Sequence, residues 1–327
     1  MTMTAPAQVV VIGSFNVDHV WTCQTLPNPG ETLAGHYMTG PGGKGFNQAI
    51  AAARAGARTC FVCALGDDIG GQWARALATA DDIDLRDQRS TAATGTAGIY
   101  VDGEGRNSIV IGAGANAELS TSFIADQHDV IAAASVVLAQ LESPLDAIHD
   151  GLRHARLDRA TTILNPAPAN AKATPALLSL VDVLTPNESE LSALIAHHVG
   201  EHIDEDTIAT LDTQHLHALC RQLLPDGSVV VTLGASGCFV SHGEERLRGD
   251  TVACYRIGAE RVHAIDTTGA GDAFNGALAA ALAQDTTAPF SGHVRFANRY
   301  AALSTEHSGA AVAMPRLAQV KERFNAL

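Results

Sequence analysis

The segment Asp266-Thr-Thr-Gly-Ala-Gly-Asp-Ala-Phe-Asn-Gly276, near the carboxyl end of the chain, is the most informative stretch of the sequence. It places a short turn with two glycines before the alanine-rich run 277–283, which has the composition of a helix. The first N–H groups of a helix have no partner within it, so they form a site for an anion. Gly269 and Gly271 carry no Cβ, so the backbone there can approach a ligand closely.

Asp272 directly follows this turn, where its carboxylate can reach a hydroxyl group beside the bound anion. A proton acceptor next to a site that stabilises negative charge is what transfer of a phosphoryl group to an alcohol requires. We therefore predict Asp272 as the general base, with Gly269, Ala270 and Gly271 as the anion hole. The alternative is an ordinary helix start with an acidic residue in its first turn, which stabilises many helices.

A second glycine-rich segment lies near the other end of the chain. Pro41-Gly-Gly-Lys-Gly-Phe-Asn-Gln-Ala49 precedes another alanine-rich run, 49–57, and its Asn47 offers a donor and an acceptor to a polyol. It is not a Walker A loop, because Gly45 follows Lys44 where that motif needs Ser or Thr. By itself the segment is equally compatible with a plain loop that leads into a helix.

Short apolar runs alternate with helical patterns along most of the chain, which predicts βαβ units and a mostly parallel sheet covered on both faces. The predicted strands are 9–13, 60–65, 135–139, 162–164, 181–184 and 229–233. The predicted helices are 44–56, 69–79, 119–133, 145–156, 188–197 and 213–224. Ligands of such sheets bind at the carboxyl ends of the strands.

Two segments, 16–40 and 94–112, break this alternation. They contain Thr, Val, Tyr and Ile in short runs separated by glycine turns, and Asp102-Gly-Glu-Gly105 between two such runs predicts a hairpin. Both segments are too short to bury a core of their own.

The two glycine-rich segments together resemble the PfkB carbohydrate kinases, and within that family the ribokinase group. The resemblance runs from about Val9 to about Pro315. Besides the two segments, the strings that support it are Gly13-Ser-Phe-Asn16-Val-Asp18, Pro29-Gly-Glu31-Thr, Leu141-Glu142-Ser-Pro, Asn165-Pro-Ala-Pro, Thr185-Pro-Asn187-Glu-Ser-Glu190 and Thr232-Leu-Gly234.

The resemblance implies a ribokinase-like three-layer α/β/α sandwich, with a mostly parallel central sheet and a small β-sheet lid. Residues 1–327 would form a single kinase domain. Residues of about 16–40 and 94–112 would form the lid, which such kinases often use for homodimer contact.

The resemblance also assigns roles to individual residues. The sugar would be bound by Asn16, Asp18, Gly43, Lys44, Asn47, Glu142 and Asp272. ATP would be bound by Asn187, Thr232, Gly234, Gly237, Gly271 and Asn298. Asn187 and Glu190 would hold Mg²⁺ through water, since magnesium is satisfied by few carboxylates plus waters and phosphates.

A monovalent cation, K⁺, would lie beside the anion hole, as it does in ribokinases. The matching positions are Asp266, Thr268, Ser304, His307, Gly309 and Ala313, and most of the ligands would be backbone carbonyls. His307 and Ala313 depart from the common pattern of Arg or Lys and of Ser. Phe46 departs as well, since Ala is usual there; its ring would either pack in the core or narrow the sugar pocket.

Composition narrows the partners. The chain has 327 residues, 46% of them hydrophobic, and a formal net charge of −14. Such a charge argues against a protein that binds nucleic acid or an anionic membrane through a basic face. Residues 1–8 lack the pattern of a signal peptide, and no apolar run reaches the roughly 20 residues that span a bilayer. We therefore expect a cytoplasmic protein whose partners are a small sugar and ATP.

The expected activity is phosphorylation of D-ribose at O5 by ATP, which gives D-ribose 5-phosphate and ADP. A nucleoside kinase, or a kinase for another pentose such as deoxyribose, is the alternative within the same family; Trp21, Tyr37 and Tyr100 are candidates for a cradle around a nucleoside base. A non-catalytic sugar sensor is an alternative of another class, but such a protein is expected to lose Asp272 or the glycines of the anion hole, and both are present.

Overall fold

The computed structural model describes residues 9–170 and 173–324. Its strands are β1 (Val9–Ile12), β2 (Asn16–Thr22), β3 (His36–Gly42), β4 (Thr59–Gly66), β5 (Asp84–Ser90), β6 (Gly95–Val101), β7 (Asn107–Gly112), β8 (Val136–Ala139), β9 (Thr161–Leu164), β10 (Val183–Leu184), β11 (Ser228–Thr232), β12 (Cys238–Ser241) and β13 (Cys254–Ile257). Its α-helices are α1 (Lys44–Arg54), α2 (Ile69–Ala80), α3 (Thr121–Asp126), α4 (His128–Ala132), α5 (Leu145–Leu157), α6 (Pro175–Leu178), α7 (Glu188–His198), α8 (Glu205–Ile208), α9 (Thr213–Leu223), α10 (Ala270–Gln284), α11 (Phe290–Ser304) and α12 (Leu317–Arg323).

Nine strands form the large sheet, in the order β13-β12-β11-β10-β9-β8-β1-β4-β5. All neighbouring pairs are parallel except β11 with β12 and β12 with β13. Val9 and Val11 of β1 pack into one hydrophobic cluster, and Val10 and Ile12 pack into another on the opposite face. Helices cover both faces, so the predicted three-layer α/β/α class is confirmed.

The strand order reverses between β1 and β8, because the chain builds outward from β1 through β4 and β5 before it returns to β8. The carboxyl ends of the two strands diverge at such a reversal and leave a crevice, where ligands of open α/β sheets bind. Ser14 leaves β1 at this crevice and Glu142 leaves β8.

Each predicted strand and helix corresponds to an element of the structure, with ends shifted by up to a few residues. The predicted helix 119–133 is divided at Gln127 into α3 and α4. We did not predict β5, whose sequence Asp-Leu-Arg-Asp-Gln-Arg-Ser lacks an apolar run because it lies at the edge of the sheet. The short pair β12 and β13 also gave no periodic signal.

The two irregular segments form a separate four-stranded sheet, in the order β3-β2-β6-β7, which is the predicted lid. The predicted hairpin turn lies between β6 and β7, where the Gly105 N–H donates to the Asp102 carbonyl. Asp18 of β2 pairs with Ala97, which pairs with Ile111, so these three side chains share one face of the small sheet.

Helices α1 and α10 pack backbone against backbone over one face of the large sheet. A Cβ built on Gly276 would lie 2.4 Å from the Gln48 carbonyl oxygen and 2.5 Å from the Ala51 Cβ, so only glycine allows this approach. Both helices begin at the crevice, so their first turns meet there.

Phe46 lies on α1 and is 1% exposed. Its ring packs edge-on against Phe15, with 5.0 Å between centroids, and also contacts Phe61. Phe46 therefore belongs to the core, and the alternative in which it narrows the sugar pocket was wrong.

Among residues 9–170 and 173–324, none of the helices combines the length and the apolarity needed to cross a bilayer.

Candidate active site

A cluster of polar side chains fills the crevice between β1 and β8. The Ser14 hydroxyl donates to Glu142 Oε2 at 2.6 Å, and the Lys44 N–H at the start of α1 donates to the same oxygen at 3.0 Å. One carboxylate oxygen thus joins the exits of two strands to the first turn of a helix, which fixes the floor of the site.

Asp18 enters this site from the small sheet. Its carboxylate packs on the backbone of Gly42, where a Cβ would lie 2.1 Å from Oδ2, so the site needs glycine at this position. Burial raises the pKa of Asp18 to about 7, and the negative charges of Glu142 and Asp272 contribute to the rise. No cation or hydrogen-bond donor among the described residues pairs with this carboxylate, and hydroxyl donors of a ligand would supply such a partner.

Asn16 lies at the base of β2 and is 3% exposed. Its Oδ1 accepts from the Asn116 side chain at 2.9 Å, and Asn116 also bonds both the N–H and the carbonyl of Phe15. Asn116, which sequence reasoning missed, thus fixes the exit of β1 and orients the amide of Asn16. Nothing in its surroundings in the sequence marks it, because its partners lie about one hundred residues away.

Asp272 is 6% exposed in the first turn of α10, and two side chains of α1 hold its carboxylate. Asn47 Nδ2 donates to Oδ2 at 2.9 Å, and Gln48 Nε2 donates to Oδ1 at 2.8 Å. Burial raises the pKa of Asp272, while Lys44 and these two hydrogen bonds oppose the rise. The carboxylate is therefore a stronger base than an exposed one and is held in one orientation.

The Asn47 side chain has an unused acceptor in the site. Its Oδ1 is buried and has no hydrogen-bond partner among the described residues. A buried amide oxygen without a partner is costly, so a donor from a bound ligand would stabilise it.

The residues predicted as the anion hole, Gly269, Ala270 and Gly271, lie at the start of α10. Gly269, the N-cap residue, has φ 74°, a left-handed conformation that favours glycine, and no side chain caps the helix. The Ala270 N–H donates to the Thr267 carbonyl at 3.1 Å. Within the described part of the chain, the N–H groups of Gly271 and Asp272 have no acceptor, so they are the donors open to an anion.

A chain of buried polar side chains connects the Asp272 carboxylate to this helix start. Gln48 Nε2 also donates to Asn165 Oδ1 at 3.1 Å, and Asn165 Nδ2 donates to the Thr185 carbonyl at 3.0 Å. The Thr185 hydroxyl donates to Asn275 Oδ1 at 2.5 Å, and Asn275 Nδ2 donates to the Gly271 carbonyl at 2.8 Å. These bonds orient both the carboxylate and the peptide units of the anion hole.

Sequence reasoning included these network residues in the family's strings but gave them no role. One signal was available. Asn165 and Thr185 each follow a predicted strand, so both lie at the edge of the sheet where ligands bind.

Lys44 lies between the predicted sugar-binding residues and the predicted anion hole. Burial opposes its charge, but Asp272, Glu142 and Glu190 surround it and together raise its pKa. The same side chain lines a cavity of about 160 Å³ that also borders Gly271. Lys44 can therefore neutralise negative charge on either side.

A larger cavity of about 470 Å³ adjoins this small one, and Asn187, Thr232 and Gly271 line both. Its size falls in the range of about 300–1,000 Å³ that is usual for small-molecule sites. Each predicted ATP-binding residue lines it, and Asn298 is held there by a 2.9 Å bond from Nδ2 to the Gly258 carbonyl. The joined cavities are large enough for a small-molecule ligand that reaches the first turn of α10.

Asn187 and Glu190 form a capping box at the start of α7. Asn187 Oδ1 accepts from the Glu190 N–H at 2.8 Å, and Glu190 Oε2 accepts from the Asn187 N–H at 2.9 Å. Burial raises the pKa of Glu190, and the hydrogen bond from Asn187 and the charge of Lys44 oppose this rise. The Glu190 side chain lines the small cavity. A divalent cation in that cavity would offset the cost of this buried charge, so the residues fit Mg²⁺.

Asp266 joins the two segments predicted to hold a monovalent cation. Its carboxylate accepts from the Thr268 N–H at 2.9 Å and from the Gly309 N–H at 2.8 Å. Ser304 and Ala313, which flank Gly309 in the chain, are buried, whereas the His307 side chain is exposed. That backbone carbonyls of these two segments are the ligands stays a prediction.

Comparison with known proteins is consistent with this site. Residues 6–317 match the pfkB family carbohydrate kinase. The chain is 38% identical over 312 residues to a ribokinase of Mus musculus, with 94% of this chain and 92% of that protein covered. It is 31% identical over 323 residues to a deoxyribokinase of Salmonella typhi, with 96% and 97% covered.

Solved structures share the architecture over almost the whole chain. A ribokinase from Giardia lamblia superposes with a TM-score of 0.86 at 29% identity, covering 98% of both chains. An Arabidopsis thaliana ribokinase complexed with ribose and ATP superposes with a TM-score of 0.81 at 28% identity, covering 97% of this chain and 98% of that one.

The hydrogen bond from Gln48 to Asp272 predicts a shift in the pH dependence of turnover. Gln48→Met keeps the volume of the side chain but removes a donor that stabilises the ionised carboxylate. The pKa of Asp272 should therefore rise further, because one hydrogen bond fewer stabilises the charged form. The acid limb of the kcat profile should move to higher pH, while the KM for the sugar changes little.

Gln284→Met, at the other end of α10, is the control for loss of a glutamine amide, because Gln284 Nε2 donates to the Ala55 carbonyl and not to Asp272. Its kcat profile should equal that of the wild type. An unchanged acid limb in Gln48→Met would contradict the positioning role of Gln48.

Proposed function

The chain belongs to the pfkB family of carbohydrate kinases, and from this premise we propose that it transfers the γ-phosphoryl group of ATP to O5 of D-ribose. The products are D-ribose 5-phosphate and ADP. The observation that carries the proposal is the position of Asp272, whose buried carboxylate lies between the sugar-side carboxylates and the open N–H groups of α10.

In the proposed reaction, Asp272 accepts the proton of the attacking hydroxyl while that oxygen bonds to the γ-phosphorus and the bond to the leaving ADP oxygen breaks. The N–H groups of Gly271 and Asp272 and the ammonium of Lys44 stabilise the charge on the transferred group. Such a transition state needs positioning and charge stabilisation rather than covalent chemistry. The buried network from Gln48 to Gly271 supplies the positioning.

Recognition of a polyol is supported by acceptors that lack partners. The Asp18 carboxylate, with its pKa raised to about 7, and the buried Asn47 Oδ1 both gain from hydroxyl donors. Ribose is preferred as the substrate because two ribokinases are 36% and 38% identical over 94% of the chain.

Deoxyribose is the second candidate, since a deoxyribokinase is 31% identical over 96% of the chain. A nucleoside is disfavoured by the lid. Trp21 pairs with Tyr37 and with Tyr100, so the three aromatic rings lie together on one face. Asp18 is three positions from Trp21 in the same strand, which puts it on the opposite face. The aromatic cluster is therefore turned away from the sugar, and the base cradle suggested by the sequence was wrong.

We propose that Glu190 and Asn187 hold Mg²⁺ through water next to the phosphates. When bound, the ion neutralises phosphate charge and orients the γ-phosphoryl group. The support is the buried Glu190 carboxylate, which lines the cavity beside Lys44. Since the Asn187 oxygen already caps α7, the contact of Asn187 with the nucleotide would come from its NH₂ group.

The lid is the proposed homodimer surface. Met38, Ile109 and Ile111 are 52%, 50% and 49% exposed on the same face as Asp18, and a second copy of the chain would cover them. We also propose a cytoplasmic location, where ATP is supplied. The six cysteines are free thiols, which suits a reducing compartment.

Asp272→Asn tests the general base. The carboxamide keeps the shape of the side chain but cannot accept the proton, so kcat should fall by about two to four orders of magnitude. Ribose and ATP affinities, measured by calorimetry, should remain close to the wild-type values. A kcat near the wild-type value would remove Asp272 from the mechanism.

Asp18 should determine the preference for ribose over 2-deoxyribose. A buried carboxylate that loses its hydroxyl partner pays roughly 1–3 kcal/mol, so kcat/KM for ribose should exceed that for deoxyribose by about tenfold to a hundredfold. Asp18→Ala should abolish the difference by weakening ribose alone. In the wild type, kcat/KM for ribose should decline as pH falls through about 7, because protonated Asp18 loses an acceptor.

A panel of ribose, 2-deoxyribose, adenosine and inosine measures these ratios. If a nucleoside gives the highest kcat/KM, the sugar assignment fails, while membership of the kinase family and the role of Asp272 stand.

Potassium should activate the enzyme. The site proposed around Asp266 and Gly309 does not touch substrate, so a bound K⁺ would act by ordering the first turn of α10 and by adding positive field near it. Rates in Mg²⁺-ATP assays should be higher in K⁺ than in Na⁺ or tetramethylammonium at equal ionic strength. Equal rates in K⁺ and tetramethylammonium would refute the site.

A further inference from the structure

Another polar cavity, separate from the two at the active site, lies on the opposite edge of the large sheet. It has a volume of about 510 Å³ and opens at the amino ends of β9 and β10. Its charged lining consists of Arg156, Arg159, Arg246, Arg248 and Asp182. The lining therefore carries four positive charges and one negative charge, in a protein whose net charge is −14.

Asp182 does not account for this excess of arginine. Its Oδ1 accepts from Arg156 at 2.5 Å and from Arg246 at 3.2 Å, and its Oδ2 accepts from the Thr162 N–H and hydroxyl at 3.1 Å each. Burial opposes its ionisation, but these bonds and the nearby arginines lower its pKa. The carboxylate is thus satisfied, and it neutralises only one of the four guanidinium groups.

Donors remain on the arginines. A guanidinium group has five N–H donors, and Arg156 and Arg246 each use only Nη1 among the described residues. The guanidinium group of Arg159 donates to no described residue, and it forms no ion pair with one. Arg248 is fixed by bonds from Nε to the Ser228 hydroxyl and from Nη2 to the Asp182 carbonyl. The cavity therefore has a rigid cationic wall and several free N–H groups.

The backbone at this cavity is unusual. Three non-glycine residues in the described part of the chain have positive φ, and two of them are Arg159, with φ 65°, and Arg248, with φ 50°. Arg159 has this conformation because it ends α5, where the Ala160 N–H donates to the Ala155 carbonyl at 2.9 Å. The pKa of Arg248 is lowered, mainly by burial. Asp182 opposes this change, whereas the positive charges of Arg246 and Arg156 add to it.

We propose that this cavity binds a phosphate-type dianion, either inorganic phosphate or the phosphate group of a monoester. The planar guanidinium fork matches the oxygens of phosphate in pairs, so several arginines around one concave site favour this ligand over a monovalent anion. The site is separate from phosphoryl transfer and goes beyond the proposed function.

The test measures phosphate binding by calorimetry with the active site filled. A non-hydrolysable ATP analogue with Mg²⁺ occupies the cavity at α10, so phosphate has only the arginine cavity. The double variant Arg159→Gln/Arg246→Gln removes two guanidinium groups that are exposed and lie outside the catalytic site. Phosphate should bind the wild type with a Kd in the millimolar range or below, and the double variant at least about tenfold more weakly.

Arg58→Gln/Lys321→Gln is the matched control, since it removes the same charge from exposed positions elsewhere. It should bind phosphate like the wild type, and turnover without added phosphate should be unchanged in both double variants. A second arm uses glycerol phosphate in place of inorganic phosphate. Tighter binding of this monoester than of phosphate identifies an organic phosphate as the ligand, and equal or weaker binding identifies inorganic phosphate.

Equal phosphate affinity in the wild type and in Arg159→Gln/Arg246→Gln would overturn the proposal. So would the absence of any binding of phosphate or monoester by the filled wild-type enzyme. Equal weakening in the control variant would show a general effect of net charge and would also overturn it. These outcomes are independent of which sugar the kinase accepts.

Discussion

The buried carboxylate of Asp272 is the constraint on which the rest of the site depends. A charge removed from water must be compensated by donors at fixed positions, and here the donors are the side-chain amides of Asn47 and Gln48. The carboxylate lies on α10 and the amides lie on α1, so the two helices must approach until their backbones touch. Gly276 permits that approach, since a Cβ would lie 2.4 Å from the Gln48 carbonyl oxygen.

The site holds more negative charge than its own residues neutralise. Asp272, Glu142 and Glu190 surround the single ammonium of Lys44. In the absence of ligands, burial raises the pKa values of Asp18, Glu190 and Asp272. Substrate hydroxyls and a divalent cation would relieve this excess, so part of the binding free energy comes from charges that the fold has already buried. Burying charge without a partner lowers the free energy of unfolding, as is usual for sites built for function.

Much of the fold could be predicted because it follows from local pattern. Parallel strands such as β1 and β8 are buried on both faces and therefore appear as short apolar runs. The edge strand β5 carries charged side chains and was missed for the same reason. In the site, the two glycine-rich segments predicted their own neighbourhood, because glycines and carboxylates in one turn are a local signal. The network through Asn165, Thr185 and Asn275 was missed, since its partners are brought together only by the packing of distant elements.

The sequence by itself therefore determined the fold class and the kinase family, and it predicted which residues serve as the base and the anion hole. Those properties depend on the spacing of residues along the chain, because a helix start or a strand end is formed by only a few consecutive residues. Only the tertiary structure decided that Phe46 packs in the core, that the aromatic rings of the lid face away from Asp18, and that four arginines from separate segments share one cavity. Those facts depend on which surfaces meet in space, and contacts between residues far apart in the chain leave no periodic trace in the sequence.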